Sequence, residues 1–270
     1  MYIMLSKATD NRLQEGNVLQ KKERTVIVTG GAQGIGYAIA ESFVKNGDFV
    51  AIFDLNLKAA ENAASDLGNA KGYEVNVANE ESVKSAIEQI AADRGTIEVL
   101  VNNAGLQHIA KVEDFPLEKW NLLLSVILTG TFLTTKHVIP IMKKQHKGRI
   151  INISAAHGRI PDAYKSAYVS AKFGVVGFTQ TAALETAQDG ITVNAIMPGP
   201  VRTKLIENQL PKLAAQGGTS IEEALNHHIL GKQWMKRLLE PSEIGATAVF
   251  LASDGAAAIT GEALGVTGGM

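Results

Sequence analysis

Between residues 25 and 267 two hydrophobic rhythms alternate along the chain. Short apolar runs rich in β-branched residues, such as TVIVT at 25–29 and FVAIF at 49–53, are followed by longer stretches whose apolar positions recur three and four apart. The first rhythm suits strands buried on both faces of a parallel sheet, and the second suits helices lying against one. Strands are predicted at 25–29, 49–53, 72–77, 97–102, 149–153, 191–197 and 263–267. Helices are predicted at 35–45, 57–67, 80–92, 117–144, around Tyr168, and at 241–252. Strands reached through helices of this length make βαβ units, hence an α/β fold with a doubly wound parallel sheet of seven strands and helices on both faces.

No linker or shift in composition interrupts the pattern, so residues 23–270 read as a single domain. The irregular part is 204–233, a polar helical insertion carrying Gly217-Gly218 and His227-His228. It follows the sixth strand, near the carboxyl ends where open α/β sheets bind ligands, and is expected to form a substrate lid. Residues 1–22 mix charged and polar positions and lack a long apolar signal core, so they read as an N-terminal extension.

Composition narrows the chemistry. A chain of 270 residues, 46% hydrophobic, can bury a substantial core. A net charge of −1 gives no electrostatic case for nucleic acid or an anionic membrane. The absence of cysteine removes disulfides, thiolate catalysis and Cys-ligated zinc. No uninterrupted apolar run reaches about 18–20 residues, so no transmembrane helix is predicted and a cytoplasmic, soluble protein is expected. The histidines show no ligand spacing with carboxylates, and no metal site is expected.

Three stretches carry candidate chemistry. Gly30-Gly31-Ala32-Gln33-Gly34-Ile35-Gly36 lies between a predicted strand and a predicted helix, where glycines let backbone amides approach a pyrophosphate at a helix N-terminus. Asp54 closes the second strand, placed to accept bonds from ribose hydroxyls and to repel a 2′-phosphate, which favours NAD over NADP. A helix-capping or loop aspartate is the alternative there. Tyr168 and Lys172 are four apart, on one face of a helix. A phenol titrates near ~10, and bringing it to about 7 requires roughly 4 kcal/mol of preferential stabilisation of the phenolate, which a neighbouring ammonium and a cationic cofactor can supply. Alone, such a pair is more often an ordinary surface feature.

Together, TGGAQGIG, Asp54, Asn102-Asn103-Ala104-Gly105, Tyr168-xxx-Lys172 and PGPVRT at 198–203 resemble the short-chain dehydrogenase/reductase family over residues 23–270. The resemblance implies a Rossmann-type sheet ordered 3-2-1-4-5-6-7, commonly a homotetramer, and hydride transfer between nicotinamide and an alcohol/carbonyl pair. It implies that Tyr168 is the acid/base. Lys172 would lower its pKa and hold the nicotinamide ribose. The cofactor would be lined by Gly30, Gln33, Gly34, Ile35, Gly36, Asp54, Asn76, Val77, Asn103, Ala104, Gly105, Pro198, Gly199, Val201 and Thr203, with Thr203 near the carboxamide.

A narrower likeness, to bacterial D-3-hydroxybutyrate dehydrogenases, rests on GLQH at 105–108, AHG at 156–158, KSAY at 165–168 and ENQ at 207–209. It implies that Gln107, His157, Lys165 and Gln209 bind a substrate carboxylate. One ammonium and three polar groups around a small acid make chemical sense. The expected substrate is therefore a small 3-hydroxy acid, with (R)-3-hydroxybutyrate and acetoacetate as the reference pair. Acetoin/diacetyl or a polyol is the alternative, as is a non-catalytic NAD-binding protein.

Those alternatives rest on departures from the pattern. The serine usually found thirteen residues before the tyrosine is Ala155, with Ser154 one place early. A one-residue offset near a strand end turns a side chain to the other face. The usual asparagine of the long helix is Ile127. Pro200 and Met270 stand where the hydroxybutyrate enzymes carry tryptophans, which would leave a roomier wall at the substrate's methyl end.

Overall fold

The computed structural model describes residues 23–270. The predicted extension, 1–22, lies outside the described residues. Seven strands form one parallel sheet: β1 (Thr25–Thr29), β2 (Phe49–Asp54), β3 (Ala70–Glu74), β4 (Val99–Asn102), β5 (Gly148–Ile153), β6 (Ile191–Pro198) and β7 (Ala263–Val266). Their spatial order is β3-β2-β1-β4-β5-β6-β7, the order the resemblance implies. Helices α1 (Gly34–Lys45), α2 (Leu57–Leu67) and α3 (Glu80–Arg94) follow the first three strands in turn. Two apolar clusters fill the two faces. Val26, Val28, Val50, Ile52, Ile39 and Phe43 belong to one, and Ile27, Phe53, Leu100, Ile87, Ile90 and Met142 to the other. The alternate residues of β1 thus point to opposite faces and meet apolar neighbours on both, which is why the strand sequences are unbroken apolar runs.

Two strands differ from expectation by more than one residue, each for a local reason. The third strand was predicted at 72–77 but occupies Ala70–Glu74. Gly72 sits where a Cβ would lie 2.5 Å from the Ala60 carbonyl carbon, so the strand needs glycine to pack against α2. The apolar Val75 and Val77, which suggested a later strand, leave the sheet and turn towards the cavity described below. The fourth strand begins at Val99 rather than 97 because the Gln145 side chain takes both backbone groups of Ile97, at 2.9 Å each.

The long helical region of 117–144 is two α-helices, α4 (Leu117–Leu124) and α5 (Gly130–Gln145), joined without a break by a π-turn over Ser125–Thr129. By length and composition the whole stretch, Leu117–Gln145, is apolar enough to cross a membrane, which the run-length expectation missed. One such helix is weak evidence. Its Leu123, Ile127, Leu133, Val138 and Met142 are buried inside the protein, as in a core helix. Helix α6 (Ser166–Thr186) follows β5. The insertion comprises α7 (Lys204–Gly217), the short α8 (Ile221–Ala224) and a π-turn at Leu225–Ile229, before α9 (Pro241–Leu251).

Candidate active site

At the carboxyl ends of the strands a single cavity of about 1010 Å³ runs from the β1–α1 turn to the insertion. Its floor at one end is the glycine-rich loop. Gly30 and Gly34 adopt φ of +59° and +58°, which side-chain-bearing residues rarely tolerate. Gln33 is the extended residue before α1, and its side chain makes no cap, leaving the first amides of the helix open to the cavity. Gly36 does not face the cavity. A Cβ there would collide with the Gly30 carbonyl oxygen, so this glycine lets the helix close onto the loop.

Asp54 lines the same cavity, with Asn56 N donating to its Oδ1 at 3.1 Å. The cap of α2 is Asn56 rather than Asp54, which disposes of the helix-capping alternative. Asn76 and Val77 form the next part of the wall, and the Asn76 Oδ1 accepts from Ala78 N. Across from them the NNAG segment is stitched to the glycine loop. Thr29 Oγ1 accepts from Asn103 N and Ala104 N at 2.9 and 3.0 Å, and Asn103 Nδ2 donates to the Thr29 and Gly30 carbonyls. Gly105, Pro198, Gly199, Val201 and Thr203 complete this half. Gly199 approaches the Thr267 backbone so closely that a Cβ would lie 2.7 Å from its carbonyl oxygen. Glycine amides at a helix N-terminus, a strand-end carboxylate and a flat apolar wall fit a dinucleotide.

Tyr168 and Lys172 project from the first turns of α6 into the middle of the cavity. Lys172 is 4% exposed, and its Nζ donates to the Ile153 carbonyl at the end of β5 at 2.7 Å. That ammonium lies 5.5 Å from the centroid of the Tyr168 ring. Burial pushes the Tyr168 phenol up to about 12 and the Lys172 ammonium down to about 8. The expectation that Lys172 lowers the tyrosine is therefore not met by the protein alone. Desolvation disfavours both charged forms, and one of the ammonium's three donors goes to the Ile153 carbonyl.

The two departures near this pair have structural consequences. Ser154 is 3% exposed, and its hydroxyl donates to the Lys172 carbonyl at 2.9 Å, so it braces α6. Ala155 takes the next place on the cavity wall with only a methyl group. Ile127 lies inside the π-turn, 1% exposed, packed with Leu123, Ala167, Ala171 and Val175. Its carbonyl accepts from Thr131 Oγ1 at 2.7 Å. Both positions are apolar fillings where the pattern has polar groups.

Gln107, His157 and Lys165, the residues expected at a substrate carboxylate, line the same cavity as Tyr168. The His157 and Tyr168 rings meet edge to face at 6.2 Å. Burial, with the Lys165 charge, holds His157 below its ordinary range against the opposing pull of Asp162. Gln107 Oε1 is buried without a protein partner. Gln209 falls within α7, but its side chain lies outside the described residues. The sequence reading missed Asp162, whose Oδ2 lies 2.6 Å from Lys165 Nζ and 3.4 Å from His157 Nε2. Its signal was available: an acid three residues before the lysine, just ahead of a helix. The insertion contributes Ile206, His227, His228 and Lys232 to the cavity lining. Among the described residues no group of three or more histidines and carboxylates is arranged to hold a metal ion.

A family model described as short chain dehydrogenase matches residues 24–214. An uncharacterized oxidoreductase of Bacillus subtilis, YxjF, is 44% identical over 252 residues, covering 92% of this chain and 98% of the relative. A D-beta-hydroxybutyrate dehydrogenase of Cupriavidus necator is 40% identical over 250 residues, covering 91% and 97%. A 3-oxoacyl-(acyl-carrier-protein) reductase, FabG, of Vibrio cholerae is 35% identical over 248 residues, covering 92% and 97%.

Proposed function

We propose a function from one premise: this chain belongs to the short-chain dehydrogenase family. It is an oxidoreductase that uses NAD and acts on a small 3-hydroxy acid, (R)-3-hydroxybutyrate being the reference substrate. When bound, the nicotinamide cofactor accepts or returns the hydride. The residues that would hold it are Gly30, Gln33, Gly34 and Ile35 at the diphosphate, Asp54 at the adenosine ribose, and Asn103 to Gly105, Pro198, Gly199, Val201 and Thr203 around the nicotinamide half. Asp54, with no arginine beside it in the sequence FDLNLK, supports NAD over NADP.

Tyr168 takes the hydroxyl proton of the substrate in oxidation and gives it back in reduction. Lys172, fixed by the Ile153 carbonyl, keeps a positive charge next to the phenol. Gln107, His157 and Lys165 orient the acid end so that the carbinol carbon faces the nicotinamide. The observation that carries this reading is that these three residues and the Tyr168–Lys172 pair share one cavity with the glycine loop. The activities named for two relatives support it, since both concern a carbonyl or hydroxyl at the 3-position of an acid or acyl group. The setting we infer is a cytoplasmic homotetramer; the exposed Phe132, Phe173, Phe250 and Leu264 support association with further copies of the chain.

The test is NADH formation from NAD and (R)-3-hydroxybutyrate. Tyr168→Phe is expected to lower kcat by about 10²–10⁴ while NAD still binds. Equal turnover in that variant would sink the mechanism. One observation favours a second reading, a neutral alcohol such as acetoin or a polyol: Lys165 is already paired with Asp162. Lys165→Ala separates the two readings, since it should damage turnover of an acid severely and of a neutral alcohol little.

A further inference from the structure

The pairing of Lys165 places an acid inside the pocket that the substrate's own acid group would enter. Lys165 Nζ lies 2.6 Å from Asp162 Oδ2, and the same oxygen lies 3.4 Å from His157 Nε2. All three side chains line the cavity, and all are no more than one-third exposed. Burial works to protonate Asp162, but the Lys165 hydrogen bond and charge, with a smaller pull from Lys232, hold it below the ordinary carboxylate range. Asp162 is therefore ionised at neutral pH, and Lys165 is neutralised by it. A substrate carboxylate entering here meets an ammonium already engaged, next to a like charge at hydrogen-bonding range. His157 offers no relief, being kept neutral by its burial. Lys232 is the other cation near both groups, but it lies exposed on the rim, where water screens it.

We propose that Asp162 is a specificity-determining residue: it competes with the substrate's carboxylate for Lys165 and so shifts the pocket's preference from acids towards uncharged ketones and alcohols. The proposal rests on the assignment of Lys165 to the substrate end of the cavity. It adds to that assignment a built-in penalty on anions, set by one side chain that does not touch the reacting carbon. Neutral ligands escape the penalty, since their hydroxyl or carbonyl can share the existing ion pair without parting it.

The experiment is calorimetric titration of the protein saturated with NAD, using acetoacetate as the anionic probe and methyl acetoacetate as its uncharged counterpart. Neither can be reduced by NAD, so binding is read without turnover. Asp162→Asn is expected to tighten acetoacetate at least tenfold and to change methyl acetoacetate less than twofold. Asp162→Glu, which keeps the charge, should retain the wild-type ratio. Adding Lys165→Gln to Asp162→Asn should erase the gain. Unchanged or weaker acetoacetate binding in Asp162→Asn overturns the proposal, as does equal weakening of both probes, the signature of a merely structural residue. Failure of acetoacetate to bind either protein overturns it too. Turnover of 3-hydroxybutyrate decides the reaction separately: a protein inactive on that substrate that still shows the Asp162 shift would refute the proposed reaction and leave this inference standing.

Discussion

Replacing Lys172 by methionine tests the account of the reaction centre without relying on any substrate. Lys172 is 4% exposed, and burial takes its ammonium from the ordinary 10.5 down to about 8. In the unfolded chain the same group titrates at its ordinary value. Below pH 8 it is charged in both states, and folding carries the full cost of burying that charge, roughly 3 kcal/mol at about 1.4 kcal/mol per unit. Between pH 8 and 10.5 the unfolded chain binds more protons than the folded one, so stability rises with pH and the cost disappears above that window. Methionine fills a similar volume and carries no proton. It also leaves the Ile153 carbonyl without its donor, but that loss does not vary with pH.

The informative quantity is thus the difference between the two proteins, measured by urea unfolding at pH 7 and pH 10 without cofactor. The wild type should gain about 2 kcal/mol on Lys172→Met across that interval. Tyr168, pushed up to about 12, loses stability for the fold only as pH climbs past 10, and it does so in both proteins. Parallel stability curves would mean that Lys172 is solvated and ordinary, and the burial argument for this site would fail.

Three further outcomes are expected. Ala155→Ser restores a hydroxyl on the cavity wall next to Tyr168, and kcat for a turned-over substrate should rise at least tenfold, within the 10²–10³ that one preorganised donor is worth, measured at saturating NAD. Gly36→Ala drives a methyl group into the Gly30 carbonyl, and NAD affinity should fall together with about 1–3 kcal/mol of stability, read by calorimetry and urea unfolding. Arg24→Ala removes the cation from the fully buried Asp48, which Arg24 Nε and Nη2 hold at 2.9 and 2.8 Å, and leaves it the neutral Asn46 Nδ2 at 2.7 Å, so unfolding should become easier by about 3 kcal/mol while NAD affinity, set at the opposite ends of the strands, stays the same.

The half of the site that was legible in the sequence is the half made of backbone. Gly30, Gly34 and Gly199 are needed because of conformation or close approach, and both demands leave a glycine in the sequence at a fixed place after a strand. Strand order followed from a resemblance, and strand positions from apolar runs that the two-faced core requires. What escaped was decided by side chains finding partners at a distance. Gln145 shortens β4 by taking both backbone groups of Ile97, 48 residues away. The π-turn at Ser125–Thr129 has no marker in an apolar stretch that reads as continuous helix. Ser154, bonded to the backbone of α6, and its neighbour Ala155 both line the cavity, so strand alternation alone did not decide the fate of Ser154.

In the proposed mechanism, Ala155 and Ile127 at two positions where polar groups were expected concentrate the proton chemistry on one pair, Tyr168 and Lys172. Ser154 donates its one proton to the Lys172 carbonyl and the Ile127 side chain is apolar, so neither side chain supplies a proton to Tyr168. Burial drives Tyr168 up and Lys172 down, and both shifts favour the uncharged form. A site left in that state holds a neutral phenol, a good proton donor and a poor acceptor. To act as a base it needs added positive charge close to the ring, and the oxidised nicotinamide is the cation the reaction brings. The reduced cofactor brings no such charge, so the same pocket is better matched to protonating a ketone than to deprotonating an alcohol. Oxidation should therefore depend more steeply on pH than reduction does. Under the proposed mechanism the Tyr168–Lys172 pair is enough to produce that asymmetry, and pH profiles of the two directions check it.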